Sequence, residues 1–169
     1  MPVWNETAEA MGRYYKNHQL QSCRPLVQDD ILMEYAWWKA KDMATRQYFE
    51  HQTPEGRWPN GLVRGLDYDL PDWYADDSNQ VESIAMGYMN YMFAIDALFK
   101  SKSHRNHMAG VGFWKDHSHY GVGLEEVWRP DRNVYDRYYV VVTAPEEIEL
   151  HWQWLPVIKQ GVIAPQERE

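Results

Sequence analysis

Apolar residues recur at helical spacing through the first half of the chain and give way to extended runs in the second. Residues 6–19 are predicted as a first helix, capped by Asn5 or Thr7. Residues 22–28 are predicted as a loop, since Pro25 interrupts any helix there. Asp29 and Asp30 then open a second helix, where carboxylates suit the N-terminal dipole. Its apolar positions Leu32, Tyr35, Ala36, Trp38, Ala40 and Met43 form one face, read as a core helix with a wet side. Residues 52–79 carry Pro54, Gly56, Pro59, Gly61, Gly65 and Pro71 and read as a long loop. A short extended segment over 81–87 is followed by a third helix over 88–100, with Met92, Ile95, Leu98 and Phe99 among its apolar residues. Ser103 is placed to cap a short helix over 104–109. Residues 120–128 and the β-branched and aromatic run 138–143 are predicted as strands, joined by a turn over 129–133. A C-terminal extension over 150–163 holds Trp152, Trp154 and Pro156. Helices first and strands last predict an α+β layered fold.

Composition narrows this picture. A length of 169 residues fits one domain. The chain has 17 Lys plus Arg against 25 Asp plus Glu, a net charge of 17 − 25 = −8. An acidic domain with no basic stripe is not expected to bind nucleic acid or an anionic membrane. The 9 Trp and 12 Tyr exceed what a small core needs. Some of these rings are therefore expected at a groove or interface, a Trp-rich core with wet edges being the alternative. Cys23 is the single cysteine, so no intrachain disulfide forms, and its loop setting offers no base for a catalytic thiol. No apolar h-region follows Met1, and no run approaches the ~18 apolar residues of a membrane span. The expected setting is the cytoplasm or an assembled particle. Asp67, Asp69, Asp72, Asp76 and Asp77 follow no EF-hand spacing and read as a solvated loop rather than a calcium site. Met1 and residues 166–169 are candidates for docking against partner subunits.

Chemistry concentrates on histidines and one carboxylate. His51 sits at a helix exit beside a turn, facing either a cleft or, as a surface residue, the last helical carbonyls. Glu82 lies in a small, apolar stretch; if buried it needs a partner, and an imidazole is a natural one. His104 and His107, three apart, share a helical face and are spaced to chelate zinc. His117 and His119 flank Ser118, and are read as surface histidines. The chain has no Gly-rich phosphate loop, no HExxH and no GxSxG.

Four segments together carry a resemblance. Tyr48-Phe49-Glu50-His51-Gln52-Thr53-Pro54-Glu55-Gly56 is similar to a segment written FxHxSPxG, and Val81-Glu82-Ser83-Ile84-Ala85-Met86-Gly87 to GENIAxG. The run from Ala97 through Ser103-His104-Arg105-Asn106-His107-Met108 is similar to WMxSPGHRxNIL, and Tyr120-Gly121-Val122-Gly123 to xGVG. In this order, over residues 8–144, they resemble the cysteine-poor bacterial branch of the CAP superfamily, the SCP-like domains of cysteine-rich secretory, antigen 5 and pathogenesis-related proteins. The resemblance implies an α-β-α sandwich with a central antiparallel sheet over residues 1–144, leaving 145–169 as an extension and candidate contact arm. It also implies that His51, Glu82 and His104 converge on one cleft. The sequence departs from the family at Val81 and Ser83, at Leu98 in place of a Trp, at Ser101 in place of a second cleft glutamate, and in a longer 110–119 connection.

Three functions are expected from these residues. The first is a binding or structural subunit of a larger assembly, such as a phage or bacterial particle, with protein partners or further copies of itself. The second is a zinc protein, with His51 and His104 as ligands and Glu82 orienting a ring or accepting a proton from bound water. The third is a hydrolase in which His51, Glu82 and His104 are catalytic.

Overall fold

The structure, a computed structural model, describes residues 5–22 and 24–147. Cys23, the two tails and nearly all of the extension predicted as a contact arm lie outside the described residues.

Helix α1 (Glu6–Lys16) starts where Asn5 Oδ1 accepts the Ala8 N–H at 2.8 Å. It ends three residues before the sequence predicts. Asn17 donates its side-chain amide to the Arg13 carbonyl, and His18 swings inward to stack on Phe99, centroids 3.9 Å apart. Helix α2 (Asp30–Arg46) opens on Asp29, whose Oδ1 accepts the Leu32 N–H at 2.9 Å, and stops at Gln47 in the left-handed region. The predicted long loop contains a helix, α3 (Pro59–Arg64), in which Pro59 occupies the first turn, where its missing N–H costs nothing. Helix α4 (Tyr91–Lys100) is capped by Asn90 at 3.1 Å to the Phe93 N–H. Helix α5 (Arg105–Ala109) lacks the predicted serine cap; the Ser103 hydroxyl is engaged by the His104 ring instead.

The strands β1 (Val27–Gln28), β2 (Glu82–Met86), β3 (His117–Arg129) and β4 (Val134–Pro145) form one sheet in the order β1-β3-β4-β2. The three longer strands are antiparallel as expected, and the two-residue β1 adds a parallel edge, which makes the sheet mixed. From Tyr138 to Ala144 every β4 residue is buried, because both faces of the sheet are covered. Val140 and Val142 join the core under α2 and α3, with Tyr35, Met43 and Leu62. Tyr139 and Val141 join a second core under α1, α4 and α5, with Met11, Ile95 and Met108. The molecule is thus an α-β-α sandwich. Helix α2 lies so close to β3 that a Cβ on Gly123 would stand 2.1 Å from the Ala36 carbonyl oxygen. Strand β2 is left as an edge strand, and the candidate residues gather beside it. No described helix is long and apolar enough to cross a membrane.

Candidate functional site

Glu82 points to the α2 side of the sheet with its side chain fully buried. Its Oε1 lies 2.7 Å from His51 Nδ1, and its Oε2 accepts the Tyr35 hydroxyl at 2.6 Å. Asn79 grips the Glu82 main chain from outside, accepting its N–H at 2.9 Å and donating to its carbonyl at 3.0 Å. Lys39, buried on α2, donates to the His51 carbonyl at 2.8 Å and to Tyr48 Oη at 3.2 Å. Burial lowers the Lys39 pKa, and the negative charge of Glu82 opposes that shift. Burial also raises the Tyr35 pKa well above its ordinary value, with the Glu82 charge adding to it. Lys39 therefore fixes the loop that carries His51, while Glu82 fixes the ring itself.

His104 approaches from the opposite side of β2, at the start of α5. Its Nδ1 is engaged by Ser101 Oγ at 2.7 Å and Ser103 Oγ at 3.0 Å. Burial lowers its pKa, and the His51 imidazole pushes it the same way. Both rings have Nδ1 committed, and neither Nε2 is bonded within the described residues. Next to His104 lies a groove of about 210 Å³, bordered by Phe49, Tyr88, Ala97, Leu98 and Ser101, with Ile84–Met86 of β2 as its floor. His51, Glu82 and His104 are thus brought to the β2 edge of the sheet, with Ser101 bonded to the His104 ring.

His107 and His117 part company with their sequence readings. His107 does not share a site with His104. Its Nδ1 pairs with Ser83 Oγ at 2.7 Å and its Nε2 with Thr143 Oγ1 at 2.8 Å, inside the core. His117 is not at the surface: it is 1% exposed, because a bulge between His117 and His119 turns it inward. Its Nδ1 meets Thr143 Oγ1 at 2.7 Å and its Nε2 meets Tyr74 Oη at 2.8 Å. Burial, with the Arg24 charge adding to it, pushes the His117 pKa down to about 3. His107 is lowered well below its ordinary value, by burial first and the neighbouring His117 second. His119 is half-buried beside Ser118. Sequence reasoning also missed Lys39, Tyr74, Asn79 and Thr143, whose roles depend on contacts far apart in the chain. Among the described residues no group of three or more His, Cys, Asp or Glu side chains is placed to hold a metal. Asp76, from the acidic loop, pairs with Arg64.

No family model matches the sequence. The chain is 29% identical over 110 residues, 64% of its length, to the uncharacterized protein YkwD of Bacillus subtilis (strain 168), and spans 38% of that protein. Among solved structures, an outer surface protein from Borrelia burgdorferi superposes on 86% of this chain and 100% of its own, with a TM-score of 0.55 at 19% identity. An extracellular protein containing a SCP domain from Bacillus anthracis str. Ames covers 83% of this chain and 38% of its own, with a TM-score of 0.49 at 17% identity. The likeness to the Borrelia protein is one of fold. The class that the layers define is an α+β sandwich, with the His51–Glu82 pair and His104 at the β2 edge of its sheet.

Proposed function

We propose that this chain is a recognition module that docks a protein partner, as a subunit of a larger assembly, through the groove beside β2. The observation that carries the reading is the rim of the groove. Phe49 and Tyr88 border it; Met89, 73% exposed, follows Tyr88 in the chain, and Met92 and Phe93, 54% exposed, lie on the first turn of the helix whose Ala97 lines the groove. Large exposed apolar side chains grouped in this way mark interaction surfaces. The test is a photo-crosslinking amino acid placed at Phe93, and separately at Trp37 on α2, in the organism that makes the protein. Discrete crosslinked species from Phe93 and none from Trp37 are expected. Equal capture at both positions, or none at either, overturns the reading.

A second reading rests on a separate observation, the two imidazoles with Nδ1 committed and Nε2 open. Outer hydrogen bonds that fix a ring and leave its other nitrogen free are the usual support of a metal-ligating histidine. His51 and His104 would supply two nitrogens to zinc, with water completing the shell and Glu82 orienting the His51 ring through its Nδ1. Calorimetric titration with Zn²⁺ is expected to show binding that a His51→Ala/His104→Ala variant loses. Unchanged affinity in that variant would discard the assignment. The hydrolase expected as a third function would use the same three residues, and the open nitrogens serve it no better than they serve simple metal binding.

A further inference from the structure

The pairing of β2 with β4 determines which way each β2 main-chain group points. Thr143 donates to the Val81 carbonyl and Gly87 to the Arg137 carbonyl, so Val81, Ser83, Ala85 and Gly87 face β4. Glu82, Ile84 and Met86 therefore point their N–H and C=O outward, away from the sheet. Asn79 satisfies both groups of Glu82. No described residue bonds those of Ile84 or Met86. These two donors and two acceptors repeat at about 7 Å, the two-residue step of a strand. They face the groove whose walls are Phe49 on one side and α4 on the other. Ala97 on α4 and Ser101, the residue that caps its C-terminal end, both line the groove, and Phe93 lies one helical turn before Ala97.

We infer that the groove takes an extended peptide segment of the partner, which adds to the sheet as a fifth strand by pairing its main chain with Ile84 and Met86. The occupant follows from the chemistry of the floor. Alternating donors and acceptors at strand spacing are matched by another extended main chain, and this is the β-augmentation mode of peptide recognition. The site has ends: Asn79 closes it beside Glu82, and beyond Met86 the chain turns away at Gly87, with φ of 84°. Only two outward residues remain between these ends, which suits a short peptide segment and not the continuous edge of a second sheet. The apolar walls select uncharged side chains on the face toward Ala97. The Ser101 and His104 end offers a hydrogen bond to a polar side chain or carbonyl. The inference rests on the groove being the recognition site and adds what it recognises.

The probe is a soluble peptide, acetyl-Lys-Val-Thr-Val-Thr-Val-Lys-amide, with two N-methylated forms, one methylated at the valines and one at the threonines. A strand uses alternate N–H groups on each edge, so only one set pairs with β2. Binding is read by fluorescence anisotropy on the full chain, and by amide exchange at Ile84 and Met86. One N-methylated form is expected to bind about tenfold more weakly and the other within about twofold of the parent. The parent peptide is expected to slow exchange at both amides. Met86→Pro, which removes an outward N–H that β4 does not use, is expected to cost binding while the thermal transition remains. Equal effects of the two methylation patterns, or no protection of Ile84 and Met86 at about 1 mM peptide, overturn the inference. So does protection of those amides that rises with protein concentration alone, which would make a second copy the occupant. If Phe93 crosslinks a partner while the peptide leaves both amides unprotected, strand pairing fails and the recognition site stands. If neither occurs, both fail.

Discussion

The Glu82 carboxyl has no exposed surface, so the site stands on the groups that hold it: Tyr35, His51 and, at longer range, Lys39. Removing one partner from a buried charged group costs more than an ordinary hydrogen bond, because the orphaned lone pair stays out of water. Tyr35→Phe keeps the ring and its packing and strips only the hydroxyl that reaches Glu82 at 2.6 Å. It is expected to lower stability by about 1.5–3 kcal/mol. In urea denaturation this is read as a lower midpoint at unchanged slope, and an unchanged midpoint would mean that Glu82 finds another donor. Part of this was legible in the sequence. Small and apolar neighbours marked Glu82 as a carboxylate in need of a partner, and its imidazole partner is His51. Tyr35 was legible only as a core position, since helical spacing assigns a residue to a face and says nothing of where its hydroxyl ends. Lys39 looks like any solvated lysine until α2 and the His51 loop come together.

At the scale of elements, the sandwich is set by how closely α2 lies on β3. Gly121 and Gly123 both face it: a Cβ on Gly121 would stand 2.1 Å from the main-chain carbon of Leu32, and one on Gly123 2.1 Å from the Ala36 oxygen. The obstacle in each case is backbone, which cannot rotate aside. Gly123→Ala must therefore lift the helix off the sheet, and is expected to cost about 3 kcal/mol, the upper end for an overpacked core. Chemical denaturation checks this, and a variant as stable as the parent would show that α2 shifts freely. The sequence showed these glycines as a motif and not as a packing contact, because their role lies in what they lack. The long helices were legible through their caps, Asn5 and Asp29, and through the α2 apolar face. Helix α3 was hidden, because Pro59 and Gly61 read as breakers although proline suits a first helical turn. Strand β1, two residues long, and the bulge that turns His117 inward leave no periodic trace.

Across the whole molecule, five side chains form one buried line: Tyr74, His117, Thr143, His107 and Ser83. They tie the loop before β2 to β3, β4, α5 and β2 itself. Thr143 Oγ1 sits between the two rings and can donate to only one of them. With both imidazoles neutral, each of the five groups has one hydrogen, and the four bonds can all be made with the hydrogens pointing in either direction along the line. If both rings are protonated, Thr143 receives two N–H groups and its own hydrogen loses its acceptor. Burial and the Arg24 charge oppose those extra protons, which is why His117 is held at about 3 and His107 well below its ordinary value. In the unfolded chain both rings regain a pKa of about 6.5. As pH falls below about 6.5, the unfolded state takes up protons that the folded state refuses, so stability falls with pH. The slope is at most about 1.4 kcal/mol per pH unit for each ring, and for His117 it runs down to about 3. Asp96 and Asp136, held low by hydrogen bonds from Tyr14 and Arg129, act in the same direction but only below about pH 4. The interval from pH 6.5 to 4 therefore belongs chiefly to buried imidazoles, with His104 adding a smaller part. Urea midpoints measured across that interval are expected to fall steadily, and His117→Asn to flatten the fall by about one ring's share while lowering stability at pH 7. Stability that stays level from pH 6.5 to 4 would mean that the rings accept protons in place, and that the line is not the neutral network its geometry describes.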